Sequence, residues 1–105
     1  MKTISYEEAM ELIDEYSEKY EYVEEIEGES GRWDQNIQII FKNGDSYYAF
    51  DYSRGLTEMQ ENTIYTVGHY EVELYSESHL DDKVEVYPVK KVVTTSYKYV
   101  PIKEN

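Results

Sequence analysis

The sequence predicts an α+β domain, with one N-terminal amphipathic helix packed on an antiparallel sheet of about four or five strands. Three observations predict it. Ser5, with Glu8 three residues on, opens a stretch whose apolar residues recur at helical spacing. Asn43-Gly44, the strongest short hairpin signal, lies between two runs of alternating apolar residues. Alternation returns in HYEVELYS and in KVEVYPVKKVVTTSYKYV. A chain of 105 residues has room for one domain and one core. It divides into 1–30, the acidic helix and its exit, and 31–105, the antiparallel sheet.

The helix is expected to begin at Tyr6. Ser5 and Glu8 form a capping box, and Glu7 and Glu8 suit the positive end of a helix dipole. At about 100° per residue, Ala9, Leu12, Ile13, Tyr16 and Tyr20 share one face, and Glu7, Glu11, Asp14 and Glu18 the opposite one. YEYVEEIEGESG then reads as a helix exit into an acidic edge strand or loop, broken by Gly28 and Gly31. Trp33, Ile37, Ile39 and Phe41 share one strand face. A two-residue Asn43-Gly44 turn would pair Phe41 with Ser46, Ile39 with Tyr48 and Ile37 with Phe50, placing both apolar sets on one side. Ser53 to Gly68 shows no sustained period and reads as a long connection, with one helical turn around Thr57 to Glu61. In the next strand Tyr70, Val72 and Leu74 alternate against Glu71, Glu73 and Tyr75. Pro88 lacks the ladder donor, so it marks an edge position, a bulge or a break in the last long strand.

Composition narrows function. The net charge is -13, yet 40 % of residues are hydrophobic and 15 % aromatic, too many for a disordered acidic tail. Residues 1–30 hold eleven acids against Lys2 and Lys19, a net of -9; residues 31–105 hold twelve acids against eight bases, a net of -4. With no cysteine there is neither a disulfide framework nor a thiolate site, and a reducing cytoplasm is the simplest home. The longest apolar runs are triplets such as Ile39-Ile40-Phe41, too short for a membrane span, and Met1-Lys2-Thr3 leads into charged helix rather than an export signal.

Nothing points to catalysis. His69 and His79 fall in no metal-binding spacing, and P-loop, G-x-S-x-G and G-x-G-x-x-G patterns are absent. ESHLDD would set His79, Asp81 and Asp82 near one cation, but a polar surface turn has the same composition. With 23 acids, any two carboxylates can meet by chance, so a carboxylate pair is no signal of glycoside hydrolysis. The expectation is a protein without enzymatic activity or cofactor.

The acidic stripe has two readings. It can be a solvated face serving solubility. Against that, it lacks the Glu-Lys pairs at i,i+4 that would relieve its repulsion, and Glu21, Glu24, Glu25, Glu27 and Glu29 extend the field. Such a surface repels nucleic acid and attracts basic partners. Glu7 to Glu18 would span roughly 16 Å as helix, over which duplex DNA presents about nine or ten charges and one strand about half as many. The predicted contacts with a basic nucleic-acid-binding protein are therefore Glu7, Glu11, Asp14, Glu18, Glu24 and Glu25. Tyr47 and Tyr75, with Tyr97 or Tyr99, would act as anchors on the sheet face opposite the apolar set. Arg32 and Arg54 flank the hairpin as local partners of carboxylates or aromatic rings.

Gly31-Arg32-Trp33, the tyrosine-rich strand ending at Tyr52, Gly55-Leu56-Thr57-Glu58 with Gln60-Glu61, and the terminal valine-threonine-tyrosine strand resemble small acidic proteins encoded by phages and mobile elements of Gram-positive bacteria. The resemblance covers roughly residues 31 to 100. Some such phage proteins are anti-CRISPR inhibitors that fill the positively charged groove of a type II RNA-guided nuclease, excluding guide RNA or target DNA. The resemblance implies the same role here, without catalytic residues. A phage accessory or interaction protein, and an anti-restriction mimic of duplex DNA, remain the alternatives.

Overall fold

The computed structural model describes residues 2–31, 34–56, 61–68, 70–93 and 97–102. Its elements in chain order are β1 (Lys2–Ser5), α1 (Tyr6–Ile13), β2 (Glu21–Ser30), β3 (Asp34–Asn43), β4 (Ser46–Gly55), β5 (Thr63–Thr66), β6 (Tyr70–Glu73), a 3-10 turn (Glu77–His79), β7 (Lys83–Val93) and β8 (Tyr97–Pro101). The α+β class stands, but the described sheet has eight strands rather than four or five, all in antiparallel pairs.

The capping box forms as its residues dictate: the Glu8 N–H donates to Ser5 Oγ at 3.0 Å and the Ser5 N–H to Glu8 Oε1 at 2.8 Å. The helix, however, ends at Ile13 and not near Tyr20. Its last turn holds no basic residue to complement the negative end of the dipole, and Asp14 and Glu15 oppose it. Glu15 takes a left-handed φ of 63°. The Tyr16 N–H donates to the Glu11 carbonyl at 3.0 Å and the Glu15 N–H to the Leu12 carbonyl at 3.1 Å, a Schellman closure with glutamate where glycine is usual. Left-handed backbone costs a non-glycine residue about 1–2 kcal/mol. Glycine returns about 0.4–1 kcal/mol of that through the unfolded chain. Glu15→Gly is accordingly expected to raise stability by about 0.5–1 kcal/mol, read as a higher denaturant midpoint at unchanged slope; a lower midpoint would contradict the strain argument.

The central hairpin keeps the expected faces with its turn moved by one residue. Asn43 pairs with Ser46, Phe41 with Tyr48, Ile39 with Phe50 and Ile37 with Tyr52. Gly44 and Asp45 make the turn, and the positive φ of 67° falls on Gly44, the first turn residue, where a type II′ turn places its glycine. Each residue thus meets a partner two positions beyond the one expected, and a shift of two leaves every side chain on its face. Trp33, expected on this strand, lies outside the described residues, as do Arg32, His69 and most of the turn predicted at 57–61.

One sheet face carries the main core. Ile37, Ile39, Phe41, Phe50, Val84 and Val86 pack against Tyr6, Ala9, Met10 and Leu12 of α1, with Ile4 and Tyr20 closing the ends. The opposite face holds a smaller cluster of Ile40, Ala49, Val89 and Tyr99. The sheet curls enough to bring β8 across that second face, where the Tyr99 hydroxyl donates to Glu24 of β2 at 2.9 Å.

β1 and β5 went unforeseen, and the stretch read as one long strand marked at Pro88 is two strands, β7 and β8, paired antiparallel. β1 pairs with β7, Lys2 opposite Val86. β5 lies in the stretch read as a long connection; it pairs with β6 and touches β4 at Ser53 opposite Thr63. β7 runs unbroken through Pro88. Along one edge β1 pairs with residues 83–86 and β8 with 89–93, so the proline, which has no N–H to give, falls at the junction of two partners. Its carbonyl there accepts from the Ile102 N–H at 2.9 Å. Among the described residues no helix is long and apolar enough to cross a membrane.

Candidate functional site

Tyr6 ties the start of α1 to the segment that follows β6. Its hydroxyl donates to the Glu73 carbonyl and accepts from the Ser76 N–H, and its own N–H donates to the Asp82 carbonyl. Between these elements lies a cleft of about 210 Å³. Tyr6 and Met10 line it from the helix, Tyr75 and Leu80 from the opposite wall, and Tyr16 from the turn after α1. Tyr16 and Tyr75 stay 60 % and 56 % exposed, a large aromatic surface left in water. Tyr75 has a left-handed φ of 63°; it and Glu15, beside Tyr16, are the two non-glycine residues with positive φ among those described. Left-handed backbone at a bulky residue concentrates at functional places.

Carboxylates rim this cleft. Glu7 and Glu77 line it and are exposed. The Tyr75 hydroxyl donates to Asp14 at 2.6 Å, and burial, reinforced by that carboxylate, pushes its ionisation well above the usual tyrosine range. Lys19 is committed to Glu8 at 3.0 Å and lies over the Tyr20 ring, and Lys83, opposite the N-cap Ser5, forms no ion pair among the described residues. Burial would raise the Glu8 carboxyl, but the Ser5 N–H and Lys19 outweigh it and hold the group below its ordinary value. The stability this lends is present above the ordinary carboxylate range and is lost as pH falls through the lowered value. Among the described residues no ion pair reaches Glu7, Glu11, Asp14, Glu15, Glu18 or Glu77.

Of the predicted contact residues, Glu7, Asp14 and Tyr75 thus meet at one place, with Glu11 on the same short helix. The others are placed differently. Glu18 is exposed but lies beyond the helix, so no four-carboxylate helical stripe exists. Tyr75 sits in the turn after β6, not on a sheet face. Glu24 is held by Tyr99, which is itself buried rather than projecting. Glu25 accepts from the Tyr52 hydroxyl at 3.3 Å and from Arg54 at 2.9 Å. Tyr47 is half-buried in the second cluster, its ring 5.8 Å from that of Tyr99. The side chain of Tyr97 lies outside the described residues. Tyr16, Leu80 and Glu77 were missed.

Arg54 bridges Glu25 and Glu27, at 2.9 and 3.7 Å, and the bond to Glu25 fixes its protonated state still more firmly. These groups are about one-third exposed or more, so solvent screens the pair. Arg54→Ala is expected to cost about 1 kcal/mol or less at low salt and less again in high salt. Denaturant midpoints at two ionic strengths check this; a salt-independent loss would mean that packing, not charge, holds the arginine.

A larger hollow of about 360 Å³ opens on the second sheet face and is lined by Asp51, Tyr65, Glu85 and Tyr87. Two of its polar groups, Tyr87 and Asp51, satisfy each other. Gln38 donates to the Tyr87 hydroxyl at 2.9 Å, which donates to Asp51 at 3.0 Å, and burial raises that hydroxyl to about 12. The ESHLDD segment forms a His79–Asp82 contact of 2.9 Å, and no cluster of three metal-ligating side chains occurs among the described residues. Comparison with protein families, with curated proteins and with solved structures finds no match.

Proposed function

We propose that this protein is a non-catalytic, stoichiometric inhibitor that occupies the basic nucleic-acid groove of a type II RNA-guided nuclease in a bacterial cytoplasm. One observation carries the reading: Glu7 and Glu11 of α1 and Asp14, Glu15 and Glu18 beyond it, with Glu77 opposite, have no ion-pair partner among the described residues and lie beside exposed tyrosines. Such a surface gains from a basic partner and is repelled by nucleic acid itself. The eight residues of α1 span about 12 Å, over which duplex DNA carries about seven charges. The patch therefore substitutes for a short run of one backbone, which favours groove occupation over duplex mimicry against restriction enzymes. The alternative of an accessory protein assembling through its sheet edge is disfavoured by β2. Two register irregularities interrupt that strand, and it is crowded with glutamate, both features that discourage edge pairing.

Purified protein added to type II nucleases before or after guide loading, across a salt series, tests the reading. Stoichiometric loss of target binding that weakens with salt is expected, and the order of addition tells whether guide or target is excluded. Full nuclease activity at equimolar and higher protein, across several such enzymes, would reject it.

A further inference from the structure

We infer that the cleft between α1 and the turn after β6 receives one arginine side chain of the partner, an inference that rests on the basic-groove reading above. Its volume of about 210 Å³ is below the about 300–1,000 Å³ of pockets that enclose drug-sized ligands. That size suits a single side chain and excludes a nucleotide. The sign of the rim selects a cation: Glu7 and Glu77 line the opening and no described cation pairs with either. Lys19 cannot fill the role from within, being held by Glu8. The cation must come from outside.

The walls select arginine over lysine. Tyr16 and Tyr75 offer exposed aromatic surface, on which a planar, weakly hydrated guanidinium stacks better than an ammonium. Met10 and Leu80 offer apolar surface for the aliphatic stem. Tyr75 is already fixed through its bond to Asp14, so little side-chain freedom remains to be lost when the partner docks. The arrangement is a preformed receptor for one guanidinium at the centre of a field that draws basic surfaces in.

The test titrates the isotope-labelled protein with a blocked Gly-Gly-Arg-Gly-Gly peptide and with its lysine and citrulline counterparts, following tyrosine ring resonances. The arginine peptide is expected to shift the Tyr16 and Tyr75 rings with a dissociation constant near about 1 mM. The lysine peptide should bind about two- to fivefold more weakly, and the neutral citrulline peptide should leave the rings unmoved. Glu77→Gln and, separately, Tyr16→Ser should each weaken the arginine response; both positions are exposed, so neither change threatens the fold. Equal response to citrulline, or still rings with all three peptides, overturns the proposal. In the nuclease assay, full inhibition by the Glu77→Gln/Tyr16→Ser double variant would overturn it while leaving the basic-groove reading intact. Failure of the unaltered protein to inhibit would instead reject that reading, and the peptide titration would still decide the cleft.

Discussion

Tyr6→Ala is expected to lower the unfolding free energy by about 3–5 kcal/mol, the range for truncating a fully buried aromatic ring. Tyr6 is 0 % exposed and stands among Ala9, Met10, Leu12 and the sheet residues beneath them. Tyr6→Phe separates packing from hydrogen bonding. It keeps the ring but leaves the Glu73 carbonyl and the Ser76 N–H without their shared partner, at an expected cost of about 1–3 kcal/mol. For a domain of this size each kcal/mol moves the melting temperature by about 4–8 °C, so the two variants are distinguishable by thermal unfolding. If Tyr6→Phe melts with the unaltered protein, the hydroxyl does not hold the β6 turn to the helix. A destabilised Tyr6→Phe should also loosen the cleft walls, since Ser76 and Tyr75 are neighbours in that turn.

Glu7→Gln/Glu11→Gln/Glu18→Gln should slow association with a basic partner by about tenfold or more at low salt and flatten its salt dependence. None of the three is ion-paired among the described residues, so the triple variant should fold at least as well as the parent, with some like-charge repulsion removed. The informative control removes the same number of charges elsewhere, as Asp45→Gln/Glu61→Gln/Glu85→Gln. If the local patch matters, that variant keeps nearly full affinity. If both triples lose affinity alike, net charge alone drives the encounter and the α1 surface has no special standing.

Short-range chemistry was legible in the sequence and long-range pairing was not. Ser5 and Glu8 announced the helix start because both halves of the capping box are local. The hairpin was readable from its alternation, but Asn43-Gly44-Asp45 offers two turns one residue apart, and only the observed register shows that Gly44 comes first. The early helix end had a signal that apolar spacing obscured: Asp14 and Glu15 stand with no lysine at the negative end of the dipole. β5 had one too, since Thr63-Ile64-Tyr65-Thr66 is rich in strand-favouring residues. β1 offers a single buried apolar residue, Ile4, and gains its identity from a partner far along the chain. Charge and exposure picked out Glu7, Asp14 and Tyr75, but their meeting in one cleft depends on the turn after β6. The internal contacts of Glu24, Glu25 and Tyr47 were not legible for the same reason, because Tyr99, Arg54 and Tyr52 reach them across the sheet.

The pairing of β1 with β7 carries a consequence for synthesis on the ribosome. Lys2 finds its place only opposite Val86, so the leading strand waits until nearly the whole sheet has been translated. At about 5–20 residues per second that interval is on the order of 4–17 s. Until then Ala9, Met10 and Leu12 of the nascent helix lack Val84 and Val86, part of the sheet that covers them, a condition that invites self-association. The eleven acids of the first thirty residues emerge with them. Like charge of that density opposes association between incomplete chains, so the same acids that would face a basic partner also disfavour contact between chains that still lack β7.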